Sequence, residues 1–175
     1  MPNLPVIKCA YMPASKIDLD FVDSLKSNEF TFVLDPQIWK RFRQFSRIQN
    51  WERRKLIRRE KANIPPTSGV YSLLVHQNVA RHPFPQYVMY IGQTDNLRRR
   101  FGEYLGKEKK LSGRPLVVRM LNKFEDNVFF VFTKVGLAHL DKVENNLLET
   151  FLPPCCDPDE MPAKIRKSVK AARLS

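Results

Sequence analysis

Two short runs of β-forming residues, 70–75 and 87–91, restrict the folds open to this chain more than any other segment. Both runs are rich in valine, leucine, isoleucine and tyrosine, which favour strands. The polar stretch between them contains His82-Pro83-Phe84-Pro85, and proline cannot continue a central strand. The pattern therefore predicts a β-hairpin with a long tip.

The residues after this hairpin predict three helices and a third strand. In chain order these are a helix from a Thr94 or Asp95 cap to about Leu105, a helix over 114–124, a strand over 127–135 and a helix over 138–151. Gly106 ends the first helix, and Pro153-Pro154 ends the last. We therefore expect an α/β fold, with a small three-stranded antiparallel sheet flanked by helices.

The charge of the chain favours an anionic partner. Lysine and arginine number 30 against 18 aspartates and glutamates, a formal net charge of +12. Such an excess attracts nucleic acid or an anionic membrane surface. The longest apolar run, 128–132, is far shorter than the roughly 20 residues that cross a bilayer, and it is typical of a buried strand.

Basic residues concentrate before the hairpin. A strand is predicted over 30–34 and a long helix over 36–61, with Asp35 as its cap. Aromatic residues alternate with the basic ones in this helix, so one side can be buried while guanidinium groups face phosphates. The arginines predicted to contact DNA from this helix are Arg43, Arg47, Arg53, Arg54 and Arg58. A helix whose charges simply face water remains the alternative.

Turn residues divide the chain. The segment 63–68 is rich in proline, asparagine, serine and threonine, which places a boundary between residues 66 and 67. The predicted parts are a basic, largely helical arm over 1–66, a domain over 67–157 and a basic tail over 158–175. The first residues lack a secretory signal pattern, so an intracellular, cytoplasmic location is expected.

The cysteines predict free thiols. Cys155 and Cys156 are neighbours and are poorly placed to bridge each other, and Cys9 is remote in sequence. The histidines do not combine with the cysteines at zinc-ligand spacings. Neither a disulfide framework nor structural zinc is expected.

One arginine stands out by helical geometry. In the predicted helix that ends near Leu105, one stripe is formed by Leu97, Arg100, Phe101 and Tyr104. A charged residue on a stripe that packs against a sheet is costly unless it is paired or faces a cleft. Arg100 is therefore the candidate functional arginine, whereas Arg99 points outward, where we expect it to contact DNA.

The same test selects one carboxylate in the last helix. The residues that share its apolar face are Leu140, Glu144, Leu147, Leu148 and Phe151. Glu149 lies roughly opposite, on the solvent side. Glu144 is therefore the candidate functional carboxylate, and a buried ion pair with Arg100 is the structural alternative.

An ordered set of fragments gives these residues a common context. They are Gly69-Val70-Tyr71, Tyr90-Ile91-Gly92, the run from Leu97 through Arg100 to Tyr104, and Glu144-Asn145-Asn146-Leu147-Leu148 with its proline stop. Together, over roughly residues 67–157, they resemble the GIY-YIG family of nucleases. No single triplet would support that resemblance.

The resemblance implies a set of roles. Tyr71 and Tyr90 match the family's tyrosines on neighbouring strands, Arg100 its arginine, and Glu144 the ligand of one divalent cation, Mg²⁺ or Mn²⁺. Tyr104 matches a position that is histidine in many members and tyrosine in the nucleotide excision repair branch.

The implied reaction is hydrolysis of a phosphodiester bond in duplex DNA. A tyrosine orients and deprotonates water, which needs a phenol pKa lowered from about 10 by adjacent cations. Arg100 stabilises charge on the phosphate, and the metal ion shields the leaving oxygen. Two copies would serve to cut both strands. A restriction-type role is preferred over repair or homing.

Two departures from the family pattern qualify this reading. The segment between Tyr71 and Tyr90 is longer than usual, and the Pro-x-x-Asn pattern after the last helix is absent. Asp157 or Cys156 stands near the place of the missing asparagine. The alternatives are a catalytically weakened DNA-binding protein with the same fold, and a ribonucleoprotein component attracted to structured RNA.

Overall fold

A computed structural model describes residues 50–76, 86–106, 114–163, 165–167 and 170. The strand predicted over 30–34, the first part of the helix predicted over 36–61, and the candidate DNA contacts Arg43 and Arg47 lie outside these residues. The same is true of Cys9.

The centre of the described structure is an antiparallel sheet of four strands. They are β1 (Glu52–Lys55), β2 (Gly69–His76), β3 (Gln86–Thr94) and β4 (Val128–Lys134), in the spatial order β1–β4–β2–β3. The α/β class is confirmed, and β2, β3 and β4 match the predicted strands. The prediction of three strands is wrong, because β1 pairs with the free edge of β4.

The helix predicted over 36–61 is wrong for its described part. Residues 52–55 form β1, and Arg58–Asn63 form a 3₁₀ helix. The pairing with β4 continues past the strand, since the Leu56 N–H donates to the Val128 carbonyl at 3.0 Å. These contacts are distant in sequence, and they outweigh the helical preference of a charged segment.

Three α-helices accompany the sheet: α1 (Leu97–Leu105), α2 (Pro115–Phe124) and α3 (Leu140–Phe151). All three match predicted helices, and Gly106 follows α1 as expected. The cap of α1 is Asn96, not Thr94 or Asp95, because its side chain accepts a hydrogen bond from the Arg99 N–H. In the described ranges no helix has both the length and the apolar character needed to span a membrane.

Aromatic packing on β4 joins the sheet to α1. The Phe130 ring stacks on the Tyr71 ring with centroids 4.9 Å apart, and it meets Phe101 edge-on at 5.3 Å. Tyr104 lies 6.3 Å from the same ring. Contacts of this kind favour fixed ring orientations, so Phe130 holds two of the candidate tyrosines in place.

The segment before β2 is bound to the start of α1. The Leu97 N–H donates to the Thr67 carbonyl at 2.9 Å, and Arg98 Nε donates to the Ile64 carbonyl at 2.6 Å. Ile64 itself is fully buried. The division of the chain at residues 66/67 stays a prediction, but residues 52–66 share the sheet and the α1 contacts of the domain.

Candidate active site

Strand register places Tyr71 and Tyr90 on one face of the sheet. Tyr71 lies opposite Gly92, and Leu73 lies opposite Tyr90. Residues two apart on a strand share a face, so the two tyrosines are diagonal neighbours across β2 and β3. Their ring centroids are 6.2 Å apart.

Gly92 leaves the space that this arrangement needs. A Cβ atom at position 92 would stand 2.6 Å from the Tyr71 hydroxyl oxygen and 2.9 Å from Cε1 of Tyr90. Both distances are far inside van der Waals contact. The glycine of the second triplet is thus required by the two phenols on either side of it.

The fully buried hydroxyls of Tyr71 and Tyr104 form a hydrogen bond of 2.8 Å. Each hydroxyl carries one proton, so the bond between them uses one O–H and leaves the other free to donate elsewhere. Tyr104, which lies on α1, is therefore hydrogen-bonded to Tyr71, one of the two tyrosines on the strands.

Arg114 is a cation at this cluster that the sequence analysis did not select. Its Nη1 donates to the Tyr104 hydroxyl at 3.2 Å and to the Tyr71 hydroxyl at 3.4 Å. Its Cζ lies 5.5 Å from the centre of the Tyr90 ring, within the range of a cation–π interaction. One guanidinium therefore contacts all three phenols.

Burial controls the acidity of the phenols. It raises the pKa of Tyr71, and the positive charges of Arg100 and Arg114 lower that pKa by less than burial raises it. Burial likewise raises the pKa of Tyr104 and of Tyr90. The expectation of a lowered phenol pKa is therefore wrong for the protein without substrate, and all three phenols keep their protons at neutral pH.

Arg100 stands where the stripe argument placed it, at the edge of the packed face. Leu97, Phe101 and Tyr104 of the same stripe are buried, whereas 18% of the Arg100 side chain is exposed. Its Nη1 binds Glu103 at 2.6 Å, and its buried Nε has no hydrogen-bond partner among the described residues. Its charge reaches Tyr71, whose pKa it lowers.

Glu144 lies on α3, close enough to the cluster for its charge to raise the pKa of Tyr90. Leu140, Leu147 and Leu148 form a buried face of α3 with Val143, and Glu144 is half-buried beside them. The prediction that Phe151 belongs to that face is wrong, because Phe151 is exposed at the helix end. The charge of the predicted carboxylate therefore acts on one of the three phenols, Tyr90.

The donors near Glu144 fit a hydrated ion rather than a closed metal cage. No group of three or more histidine, cysteine, aspartate or glutamate side chains could hold a metal ion within the described part of the chain. Mg²⁺ retains several waters and is often bound through one or two carboxylates. One carboxylate beside a phenol hydroxyl is compatible with that mode.

A basic depression lies along α1. It has a volume of about 610 Å³ and is lined by Lys61, Arg99, Arg100, Gly102 and Glu103. The end of the Lys61 side chain passes over Gly102, 3.0 Å from where a Cβ would stand. Arg100 is the member of this lining that also acts on Tyr71.

The predicted DNA contacts in the described residues have different surroundings. Arg53 lies 3.8 Å above the Phe129 ring and binds His76 Nδ1, so it packs on the sheet. Arg54 pairs with Glu52 at 3.1 Å. Arg58 is exposed on the 3₁₀ helix.

Arg99 is also exposed, and it is held by two carboxylates. It pairs with Asp95, just before α1, at 2.5 Å and with Glu103 of α1 at 2.6 Å. Its position on the outer side of the helix agrees with the stripe argument. Its pairing means that any contact with a phosphate would compete with these carboxylates.

The residues near the place of the missing asparagine take separate positions. Asp157 caps the 3₁₀ helix Pro158–Glu160, where its side chain accepts a hydrogen bond from the Asp159 N–H. The buried Cys156 thiol lies 3.4 Å from both the N and the O of Ile91, on β3. Cys156 therefore contacts the strand that carries Tyr90, whereas Asp157 serves a local cap.

Arg114 is the candidate site residue that sequence reasoning missed. The helix predicted over 114–124 begins at Pro115 in the structure, and Arg114 is its N-cap residue with a non-helical backbone. That position carries no periodicity from which the direction of a side chain follows. The packing of α2 determines the approach of Arg114 to the phenols.

Comparison of the chain with protein-family models, with curated proteins and with solved structures finds no match in any of the three. The geometry of the site is therefore argued from its own residues.

Gly92→Ala is expected to displace the Tyr71 hydroxyl and to destabilise the protein by about 1–3 kcal/mol, the usual cost of overpacking. Equilibrium urea unfolding measures the loss. The matched control is Gly136→Ala, because a Cβ at position 136 meets no atom within 4 Å. Equal stability of the two variants would contradict the crowding at position 92.

Proposed function

We propose that this protein is a divalent-metal-dependent DNA endonuclease that hydrolyses phosphodiester bonds, with a site of the GIY-YIG type and a restriction-type role. The observation that carries the proposal is the convergence of Tyr71, Tyr90 and Tyr104 on the guanidinium of Arg114. The charge of Arg100 acts on Tyr71, and the charge of Glu144 acts on Tyr90. Hydrolysis of a phosphodiester can use such a combination: hydroxyl donors and positive charge for the phosphate, and a carboxylate for a metal ion.

The phenols act first as positioned hydroxyls. Because burial keeps Tyr71 and Tyr104 protonated, their remaining O–H donates to a phosphate oxygen or orients the attacking water. A phenol would accept the proton of the water only as a phenolate, so it would first have to release its own proton to solvent, a loss that a bound divalent cation would favour. The hydroxyl pair then offers a short path along which that proton is shared.

Arg100 and Glu144 supply the charges at the reacting phosphate. Arg100 has an Nε–H that lacks a hydrogen-bond partner among the described residues, and we propose that this donor binds the anionic substrate while Nη1 stays paired with Glu103. Glu144 is the carboxylate that would hold the metal ion. A bound Mg²⁺ or Mn²⁺ would polarise the phosphate and shield the leaving oxygen.

The basic depression fits a neighbouring phosphate of the same strand. Lys61 and Arg99 line it together with Arg100, the residue through which we connect it to the reacting centre. Lysine and arginine bind backbone phosphates without reading sequence, which gives affinity and orientation. Duplex DNA is therefore the proposed partner, and cutting of both strands calls for two copies of the chain.

The test is nicking of a supercoiled plasmid by purified protein, with and without Mg²⁺ or Mn²⁺. We expect nicking only with metal, and Arg100→Ala should lower its rate about 100-fold, as loss of one charge-stabilising donor does. Lys134→Ala, which removes an exposed charge at the end of β4, should retain activity. Absence of nicking by the unaltered protein with either metal would contradict the proposal.

A DNA-binding protein without turnover is the second candidate. It is favoured by Asp157, whose carboxylate caps a local helix and so does not replace the family's asparagine. It predicts salt-dependent binding of duplex DNA with no metal-dependent nicking. The same preparations therefore decide between the two functions when binding and nicking are measured side by side.

A further inference from the structure

We propose that Arg114 is a second catalytic guanidinium of this site, which binds a non-bridging oxygen of the scissile phosphate while it orients the Tyr71–Tyr104 hydroxyl pair. This inference rests on the proposed function, because it assigns a substrate contact within the same site. It adds a residue that neither the stripe argument nor the family resemblance selects.

The first argument is the direction of the Arg114 hydrogen bonds. Its Nη1 donates to the oxygens of Tyr104 and Tyr71, at 3.2 and 3.4 Å. A phenol oxygen that accepts from a guanidinium keeps its own proton for donation to another group. Arg114 therefore favours the arrangement in which the hydroxyl pair donates outward, toward an anion.

The second argument is the spare capacity of the guanidinium. Both phenol contacts use Nη1, and a guanidinium carries more N–H donors than two hydrogen bonds need. Its fork geometry matches phosphate oxygens, so it binds them in a bidentate manner. Arg114 can thus hold the phenols on one side and an oxyanion with its remaining donors.

Arg114 differs from Arg98 and Arg99 of α1 in the groups that its guanidinium contacts. Arg98 donates to the carbonyls of Ile64 and Ala62, and Arg99 pairs with two carboxylates. These contacts are structural. Arg114 instead contacts neutral hydroxyls and an aromatic face, which leaves its full positive charge to act in a half-buried setting.

A purely structural role is the rival explanation. In that case Arg114 stabilises the phenol cluster by hydrogen bonds and a cation–π contact, and its loss changes stability without a specific effect on anions. The two explanations differ in one measurable property. Only a substrate-contacting guanidinium binds an oxyanion that resembles the reacting phosphate.

The first experiment measures binding of orthovanadate by vanadium NMR, without DNA or metal. Arg114→Gln should weaken vanadate binding at least about tenfold, because a charged hydrogen bond to the anion is lost. Arg119→Gln is the matched control on α2 and should bind as the unaltered protein does. Vanadate binding that is equal in all three proteins, or absent from the unaltered protein, overturns the proposal.

The second experiment measures plasmid nicking. Arg114→Gln should lower the rate constant about 100-fold, the usual effect of removing one donor to developing charge. Added guanidinium ion should partly restore the rate of Arg114→Ala and leave Arg119→Gln unchanged. Full activity of Arg114→Gln overturns the role of Arg114 and leaves the proposed function intact, whereas no activity in the unaltered protein rejects the proposed function itself.

Folding of the variants is checked by thermal unfolding. If Arg114→Gln does not fold, Arg114→Lys replaces it in both experiments, because lysine keeps the charge near the phenols. A lysine cannot hold the phenols and a phosphate with one planar group, so we expect vanadate binding about tenfold weaker than in the unaltered protein. Unchanged vanadate binding and nicking in Arg114→Lys would overturn the proposal.

Discussion

Glu144→Gln is expected to reduce metal-dependent nicking by at least about 10³-fold, the largest effect of any single substitution in this chain. Glutamine keeps the size of the side chain and its place on α3, so the helix should still pack through Leu147 and Leu148. The substitution removes the negative charge that we propose holds the cation. Without the cation, charge on the leaving oxygen is no longer shielded.

Glu149→Gln is the matched control for this prediction. Glu149 lies on the same helix, one turn and a fraction further along, on the side that the sequence pattern assigned to solvent. In the structure Glu149 is half-buried, as Glu144 is, so the two substitutions are matched in burial. Glu149→Gln should leave nicking within about twofold of the unaltered protein, because the proposed site assigns Glu149 no role. Equal effects of the two substitutions would show that general charge, rather than a metal site at Glu144, governs the rate.

Binding of Mn²⁺ provides a readout that does not depend on turnover. Broadening of protein NMR signals near α3 should occur at lower Mn²⁺ concentration in the unaltered protein than in Glu144→Gln. Signals near Glu149 serve as the internal comparison. Identical broadening in the two proteins would show that Glu144 does not bind the metal ion, even if Glu144→Gln had lowered the nicking rate.

The sequence predicts those strands and helices whose own residues carry the signal, such as an apolar run or a proline stop. The strands β2 and β4 are continuous apolar runs, and α3 ends at Leu152, with a left-handed backbone, just before the two prolines. β1 has no such signal. Its sequence, Glu-Arg-Arg-Lys, favours a helix by propensity, and it becomes a strand because β4 offers a free edge and Phe129 a ring for Arg53.

The residues of the candidate site also differ in whether a local sequence signal predicts their position. Tyr71 and Tyr90 follow from the pairing of two strands, and Tyr104 follows from the helical stripe of α1, so their convergence could be expected. The raised pKa of the phenols could not be predicted from the sequence, because it depends on how completely the three side chains are buried. Arg114 reaches the cluster through the docking of α2, and no spacing in the sequence encodes that distance.

The two glycines of the triplets link fold to site in physical terms. Gly92 is needed because Tyr71 and Tyr90 occupy the space beside it, so it belongs to the geometry of the cluster. Gly69 is needed for another reason. It lies between β4 and the start of α1, where the Thr133 carbonyl oxygen and the Leu97 side chain both crowd it.

Gly69→Ala is therefore expected to destabilise the protein by about 3 kcal/mol or more, beyond the common range for a methyl group added to a core. A Cβ at position 69 would stand 2.3 Å from the Thr133 carbonyl oxygen and 2.7 Å from Leu97 Cδ1. A leucine side chain can rotate away at modest cost. A carbonyl in a paired strand cannot move without disturbing the pairing of Gly69 with Lys134 on β4.

Urea unfolding of Gly69→Ala measures this loss, with Gly136→Ala as the control in open space. A domain of this size has a total stability of about 5–15 kcal/mol, so the loss should shift the unfolding midpoint strongly. Gly136→Ala should change the free energy of unfolding by no more than about 0.5 kcal/mol. A stable Gly69→Ala variant would mean that β2 and β4 can separate at this point, and the link from β2 through Leu97 to the active-site helix α1 would then be weaker than the contacts indicate.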